Sequence, residues 1–168
     1  APMASGNKEN YQSRGQLPYL IVLNKANLAD PESVKSWTNW FTKQNEPFVF
    51  INALDKKSIK TIIKRAKEVL HAHRLKWNSE ANQKDKMKMM ILGLPNTGKS
   101  TIINKLANRN ASKAAQKPGQ TTSILWVNVD KNLDILDTPG VMPPRIEVQA
   151  HAKWLSAIHA IPDHIVTP

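Results

Sequence analysis

The chain has 168 residues, the size of one domain, or of one domain with a fragment of a second. Its 24 Lys and Arg against 13 Asp and Glu give a formal net charge of +11, which points to polyanionic partners: nucleic acid, an acidic membrane surface or phosphates. Hydrophobic residues at 40% argue against wholesale disorder, and the lack of cysteine excludes disulfides, thiolate metal centres, iron–sulfur clusters and a cysteine nucleophile. No apolar run approaches the roughly 18 residues of a membrane span.

In chain order, residues 1–16 are polar, mixed in charge and without the Arg-rich amphipathic pattern of a transit peptide. Leu17–Leu23 (LPYLIVL) is an apolar run predicted as a buried strand. Asp30 as cap and Pro31 in the first turn open a helix over 32–44, with Val34, Trp37 and Phe41 at helical spacing. Phe48–Ile51 is a second strand. A long helix follows over 57–75, with Ile59, Ile62, Ile63, Ala66, Val69 and Leu70 on one face and Lys60, Lys64 and Lys67 on the other. Residues 76–86 read as a polar linker and Met87–Leu92 as a third strand, in which Met87, Met89 and Met90 are core candidates. A helix is predicted over 99–108 and an irregular loop over 109–123. Ile124–Val129 and Leu133–Leu136 are strands around a tight turn at 130–132, and Glu147–Ile161 is a final helix. Strands alternating with helices make an α/β fold with a mostly parallel sheet.

Gly93-Leu94-Pro95-Asn96-Thr97-Gly98-Lys99-Ser100 matches G-x-x-x-x-G-K-[ST], with a strand before it and a helix after it. Glycines in this pattern let the backbone of Pro95–Thr101 curl around phosphates, with the N–H groups of Asn96, Thr97, Gly98, Lys99, Ser100 and Thr101 as donors. Lys99 would reach the β- and γ-phosphates and the Ser100 hydroxyl would ligate Mg²⁺. The helix that starts there aims its positive end at the same anion. Asp137-Thr138-Pro139-Gly140 closes a strand. Its Asp can hold Mg²⁺ through water, and the Gly140 N–H can meet a γ-phosphate. Thr121 or Thr122, in the loop between these motifs, stands where a GTPase keeps the threonine that closes over Mg²⁺; an exposed loop Thr is the plain alternative.

Asn24-Lys25-Ala26-Asn27 follows the first strand and resembles the guanine-reading N-K-x-D motif, with Asn27 in the place of the Asp. Asn52-Ala53-Leu54 follows the second strand where an S-A-K loop would stand, with the Ala53 N–H facing the base O6. Ordinary GTPases run phosphate loop, switch threonine, DxxG, N-K-x-D, S-A-K. Here the base-reading segments come first, which is a circular permutation.

With these residues in view, the chain resembles the circularly permuted ribosome-assembly GTPases, the mitochondrial ribosome-associated GTPases and their bacterial YlqF/RbgA relatives. The resemblance covers about 17–161 and includes Leu23–Asp30, Gly93–Leu106, Lys117–Thr121 and Asp137–Ile146. It implies a circularly permuted G domain over 17–145, after a polar segment 1–16 and before the start of a C-terminal helical region at 146–168. It implies GTP/GDP and Mg²⁺ as cofactors. The catalytic set would be Lys99, Thr121, Gly140 and Asn96; Ser100, Thr121 and Asp137 would hold Mg²⁺, and Asn24, Lys25, Asn27, Asn52 and Ala53 the base. In relatives an Asn at the position of Asn96 ligates K⁺ in place of an arginine finger, which implies K⁺ dependence. Val141 stands where Ras-like enzymes keep a water-orienting Gln, which implies slow intrinsic hydrolysis completed by the partner.

The implied partner is the large ribosomal subunit, its rRNA and proteins, with other assembly factors and peripheral membrane association also open. The implied setting is the mitochondrial matrix, or a bacterial cytoplasm. Two other functions compete: a non-catalytic placeholder that binds pre-ribosomal RNA, favoured by Asn27, and a P-loop kinase or ATPase, which leaves N-K-x-N and DTPG unexplained. Between Asp55 and Lys88 stand eleven Lys or Arg and four Asp or Glu, which suits contact with the rRNA backbone. In the permuted family a strand precedes the one at 17–23, and residues 1–16 contain no apolar run for it, so native residues upstream, and a helical domain beyond Pro168, are expected.

Overall fold

A computed structural model describes residues 15–76, 86–107, 125–140 and 155–156. The expected loop at 109–123, with Thr121 and Thr122, lies outside the described residues, as does the final helix apart from a helical pair at 155–156. The chain divides into two compact units, one of residues 16–85 and one of residues 1–15 with 86–168.

The 16–85 unit holds β1 (Ile21–Leu23), a 3₁₀ turn (Ala26–Leu28), α1 (Pro31–Lys43), β2 (Phe48–Phe50) and α2 (Lys56–Lys76). β1 and β2 pair in parallel, Ile21 with Phe48 through Leu23 with Phe50. The ladder runs one step past β2, where the Ile51 N–H donates to the Leu23 carbonyl at 2.9 Å and Ile51 is buried. The predicted strand at 17–23 is therefore too long. β2 offers β1 a short ladder, so Leu17–Leu20 stay outside it and Leu17 is exposed.

Both helices start on a carboxylate. Asp30 accepts from the Ser33 N–H at 2.8 Å, with Pro31 in the first turn of α1, and Asp55 accepts from the N–H groups of Lys57 and Ser58 at 3.1 and 3.0 Å. Each cap satisfies donors that the helix cannot. α1 buries Phe41, which stacks on Phe48 with ring centroids 5.2 Å apart, while Trp37 and Trp40 flank it at 5.8 and 4.9 Å. α2 buries Ile59 and Ile62, and its far end is tied down where His73 Nε2 meets the Gln16 carbonyl at 2.8 Å.

The second unit holds β3 (Met87–Ile91), α3 (Lys99–Leu106), β4 (Leu125–Asp130) and β5 (Leu133–Asp137), in the sheet order β3-β5-β4. β3 and β5 are parallel, from Met87 with Leu133 to Ile91 with Asp137. β4 and β5 form an antiparallel hairpin with an irregularity between Asn128 and Asp130. The parallel α/β character holds, with this hairpin as its antiparallel part. Leu133 and Ile135 of the central strand are buried, as are Ile102, Ile103 and Leu106 of α3. Of the methionines expected in the core, Met87 is buried but Met90 is 54% exposed. Met90, Leu136 and Trp126 share one row across the sheet, and Trp126 is also exposed, with the Lys88 ammonium 5.7 Å from its ring centre. This face of the sheet is open among the described residues, so strand alternation turns Met90 outward.

No helix among the described residues is long and apolar enough to cross a membrane.

Candidate functional site

The phosphate-loop residues all fall between the end of β3 and the first turn of α3. Asn96 has a positive φ of 57° and Gly98 one of 97°; Gly98 caps α3 in the left-handed region without strain. Unlike α1 and α2, α3 has no side chain capping its N-terminus. Its first N–H groups are thus left for a ligand, the arrangement that binds anions. The Thr97 hydroxyl donates to the Leu94 carbonyl at 2.8 Å and braces the loop from within.

Lys99 folds back over its own loop. Its ammonium donates to the carbonyls of Gly93 at 3.0 Å and Leu94 at 2.8 Å. Burial pulls its pKa below the usual lysine value, and the charge of Asp137 opposes that shift. Ser100 and Thr101 lie beside it in the first turn of α3, both half-buried.

Asp137 ends β5 directly across the ladder from Ile91, the last residue of β3. Its Oδ1 is buried with no hydrogen-bond partner among the described residues. Burial pushes its pKa above the ordinary carboxylate value, against the pull of Lys99 and the Thr138 N–H. A carboxylate oxygen in that state needs a cation or a donor to complete it. The Thr138 hydroxyl, itself buried, donates to the Ile91 carbonyl at 2.7 Å and fixes the DTPG turn to the end of β3. Sequence reasoning gave Thr138 no role; its place inside DTPG was the available signal. Gly140 comes so close to the loop that a Cβ built on it would lie 2.7 Å from the Pro95 nitrogen and 2.9 Å from its Cα.

The 16–85 unit brings the other two segments together. The Ala53 N–H donates to Asn24 Oδ1 at 3.0 Å, so the N-K-x-N and N-A-L segments are joined by a direct bond. Lys25 has a φ of 61° and leads into the 3₁₀ turn that carries Asn27, which is exposed. Asn52 accepts from the Leu54 N–H at 3.0 Å through its side chain, closing the second loop on itself. The expectation that the Ala53 N–H faces a ligand thus meets a structure in which that donor is engaged by Asn24.

These groups suit a nucleotide and a divalent cation. A helix N-terminus without a side-chain cap and a lysine on two loop carbonyls match phosphates, and the buried Asp137 oxygen, without a partner among the described residues, matches Mg²⁺ or its water. The close approach of Gly140 brings its backbone against the same loop.

Residues 88–166 match the family described as 50S ribosome-binding GTPase. The chain is 36% identical over 165 residues to ribosome biogenesis GTPase A of Bacillus pumilus, covering 98% of this chain and 58% of that protein. It is 30% identical over 174 aligned residues to mitochondrial ribosome-associated GTPase 1 of Xenopus tropicalis, covering 98% and 55%. Among solved structures, GNP-bound YlqF from T. maritima matches with a TM-score of 0.70 at 27% identity, over 100% of this chain and 60% of that one. The chain thus spans somewhat over half the length of the relatives it matches. With its motif order, its phosphate loop on an α/β sheet and these likenesses in view, the chain belongs to the circularly permuted GTPase family of ribosome biogenesis GTPase A (YlqF/RbgA) and mitochondrial ribosome-associated GTPase 1.

Proposed function

We propose that the chain is the G domain of a GTP-binding and GTP-hydrolysing assembly factor of the large ribosomal subunit. The observation that carries this reading is the phosphate loop facing DTPG in one unit: Lys99 on loop carbonyls, Asp137 with an unsatisfied buried oxygen, and Gly140 against Pro95. In this reading Lys99 exchanges the carbonyls of Gly93 and Leu94 for phosphate oxygens, while the N–H groups of Pro95–Thr101, which proline reduces by one, hold the remaining oxygens. Ser100, Thr121 and Asp137 hold Mg²⁺, which neutralises charge on the phosphates when bound, and Asn96 holds K⁺. The Gly140 N–H meets the γ-phosphate. Asn24, Lys25, Asn27, Asn52 and Ala53 serve the base, with Asn24 also orienting Ala53.

Val141 supplies no side chain to orient water, so intrinsic hydrolysis is slow and the ribosomal partner completes the site. The ribosome in the names of the relatives supports this partner, and relatives of both mitochondrial and bacterial naming support either compartment. We favour the mitochondrial matrix; a bacterial cytoplasm is the alternative, and cell fractionation separates them. The G domain would span 17–145, with a helical region beginning at 146.

Asn27 favours a second reading, a nucleotide-binding placeholder without turnover. Titration of the full chain with fluorescent GDP, ADP and XDP in Mg²⁺ tests the shared part of both readings. Binding of GDP or XDP that Lys99→Ala abolishes is expected; ADP bound best would contradict both.

A further inference from the structure

The cations of α2 are arranged, not scattered. With 3.6 residues per turn, Lys56, Lys57, Lys60, Lys64, Lys67 and Arg74 all project within a sector of about 100°. All but Arg74 are exposed, and none is in an ion pair among the described residues. His71 falls in the same sector. Of the neighbouring carboxylates, Glu68 lies just outside the sector and is taken by Arg65 at 2.6 Å, while Asp55, which caps the helix, also acts on Lys57. Successive cations from Lys56 to Arg74, leaving out Lys57, average about 6–7 Å of helix rise apart over a stripe of about 27 Å. The opposite side of the helix carries the buried Ile59 and Ile62.

We propose that this face of α2 binds the phosphate backbone of double-helical RNA. A long single-sign row complements a row of phosphates, which contribute charge without requiring base contacts. No Phe, Tyr or Trp lies on the stripe and His71 is its one ring, so it lacks the row of aromatic platforms on which single-strand binders stack successive bases. A membrane surface fits less well, because the apolar side of α2 is spent on the core and cannot enter a bilayer. The proposal deepens the ribosome-directed reading and rests on it only for the source of the RNA.

The test uses the full chain, a short RNA duplex and its single strand, titrated across a range of salt. Lys60→Gln, Lys64→Gln and Lys67→Gln are combined, since Gln keeps the helix propensity and removes the charge. A control changes Lys35, Lys43 and Lys131 to Gln, for the same loss of net charge elsewhere. The stripe variant should lose duplex affinity at least ~tenfold and flatten the log–log salt slope by about 2–3. The control should lose less than about threefold, and both should keep the wild-type thermal melt and GDP affinity. Equal losses in the two variants would overturn the proposal, as would tighter binding of the single strand. Displacement of the duplex by vesicles of phosphatidylcholine and phosphatidylserine would assign the stripe to membranes instead. Failure of nucleotide binding in the wild type, with stripe-dependent duplex binding intact, would count against the GTPase reading alone.

Discussion

Asn24 Oδ1 accepts the Ala53 N–H at 3.0 Å, a bond between residues 29 apart in the chain that holds the two loops at the ends of β1 and β2 together. Ala53 is buried, so losing the acceptor leaves a donor with no water to replace it. Asn24→Ala should destabilise the protein by about 1–2 kcal/mol, while Asn24→Asp, which keeps an oxygen there, should recover most of it. Urea denaturation of the three proteins measures this. Equal loss in both variants would show that the amide nitrogen, not the oxygen, matters.

Asn27 should set the base preference. A carboxylate at this position accepts from the N1–H and exocyclic amine of guanine, whereas Asn offers one acceptor and turns a donor towards a donor. That should weaken guanine binding by about 3 kcal/mol, near a hundredfold. Asp30 cannot take over: its carboxylate holds the Ser33 N–H, a bond that also lowers its pKa. Xanthine, with a carbonyl in place of the amine, suits Asn better. Asn27→Asp should therefore tighten GDP and weaken XDP in direct titrations. Sub-micromolar GDP binding by the wild type, with strong preference over XDP, would refute this account of the position.

Asp137 carries a pH signature. Its folded pKa is raised by burial above the ordinary aspartate value, so its contribution to stability is full below the unfolded pKa and is lost as pH rises through the folded pKa. Without nucleotide, Asp137→Asn should therefore be more stable than wild type at neutral pH, by about 1 kcal/mol, and this advantage should vanish on acidification. With Mg²⁺ and nucleotide the order should reverse, because the cation needs the carboxylate. Denaturation curves at several pH values, with and without Mg²⁺ and nucleotide, check both signs.

Gly140→Ala should be severe for a purely steric reason. Its Cβ would lie 2.7 Å from the Pro95 nitrogen, and backbone atoms cannot rotate out of the way. Separation of the DTPG turn from the phosphate loop should cost about 1–3 kcal/mol of stability and most of the nucleotide affinity. A thermal melt beside a GDP titration measures each.

Much of this organisation is legible in the residues alone, and for local reasons. Asp30 with Pro31 marks the start of α1, and G-x-x-x-x-G-K-[ST] between strand and helix marks the loop at 93–100, because caps and phosphate loops are set by near neighbours. Strand extent is different. Leu17–Leu20 read with Ile21–Leu23 as one run, but Pro18 has no N–H to donate and the short partner β2 sets which of them join a ladder. Met90 reads as core beside Met87, but the exposure of its sheet face depends on what the rest of the chain covers. The Ala53–Asn24 bond joins two motifs that were each recognised separately; their contact needed the β1–β2 pairing to be known.

Release of phosphate from GTP by the full chain, measured in Mg²⁺ and K⁺ with and without large ribosomal subunits, tests the central claim most directly. The account predicts slow release alone, clear stimulation by subunits, and loss of both in Lys99→Ala and Asp137→Asn. Release that equals the Lys99→Ala background even with subunits present would contradict it and leave a nucleotide-binding placeholder in its place.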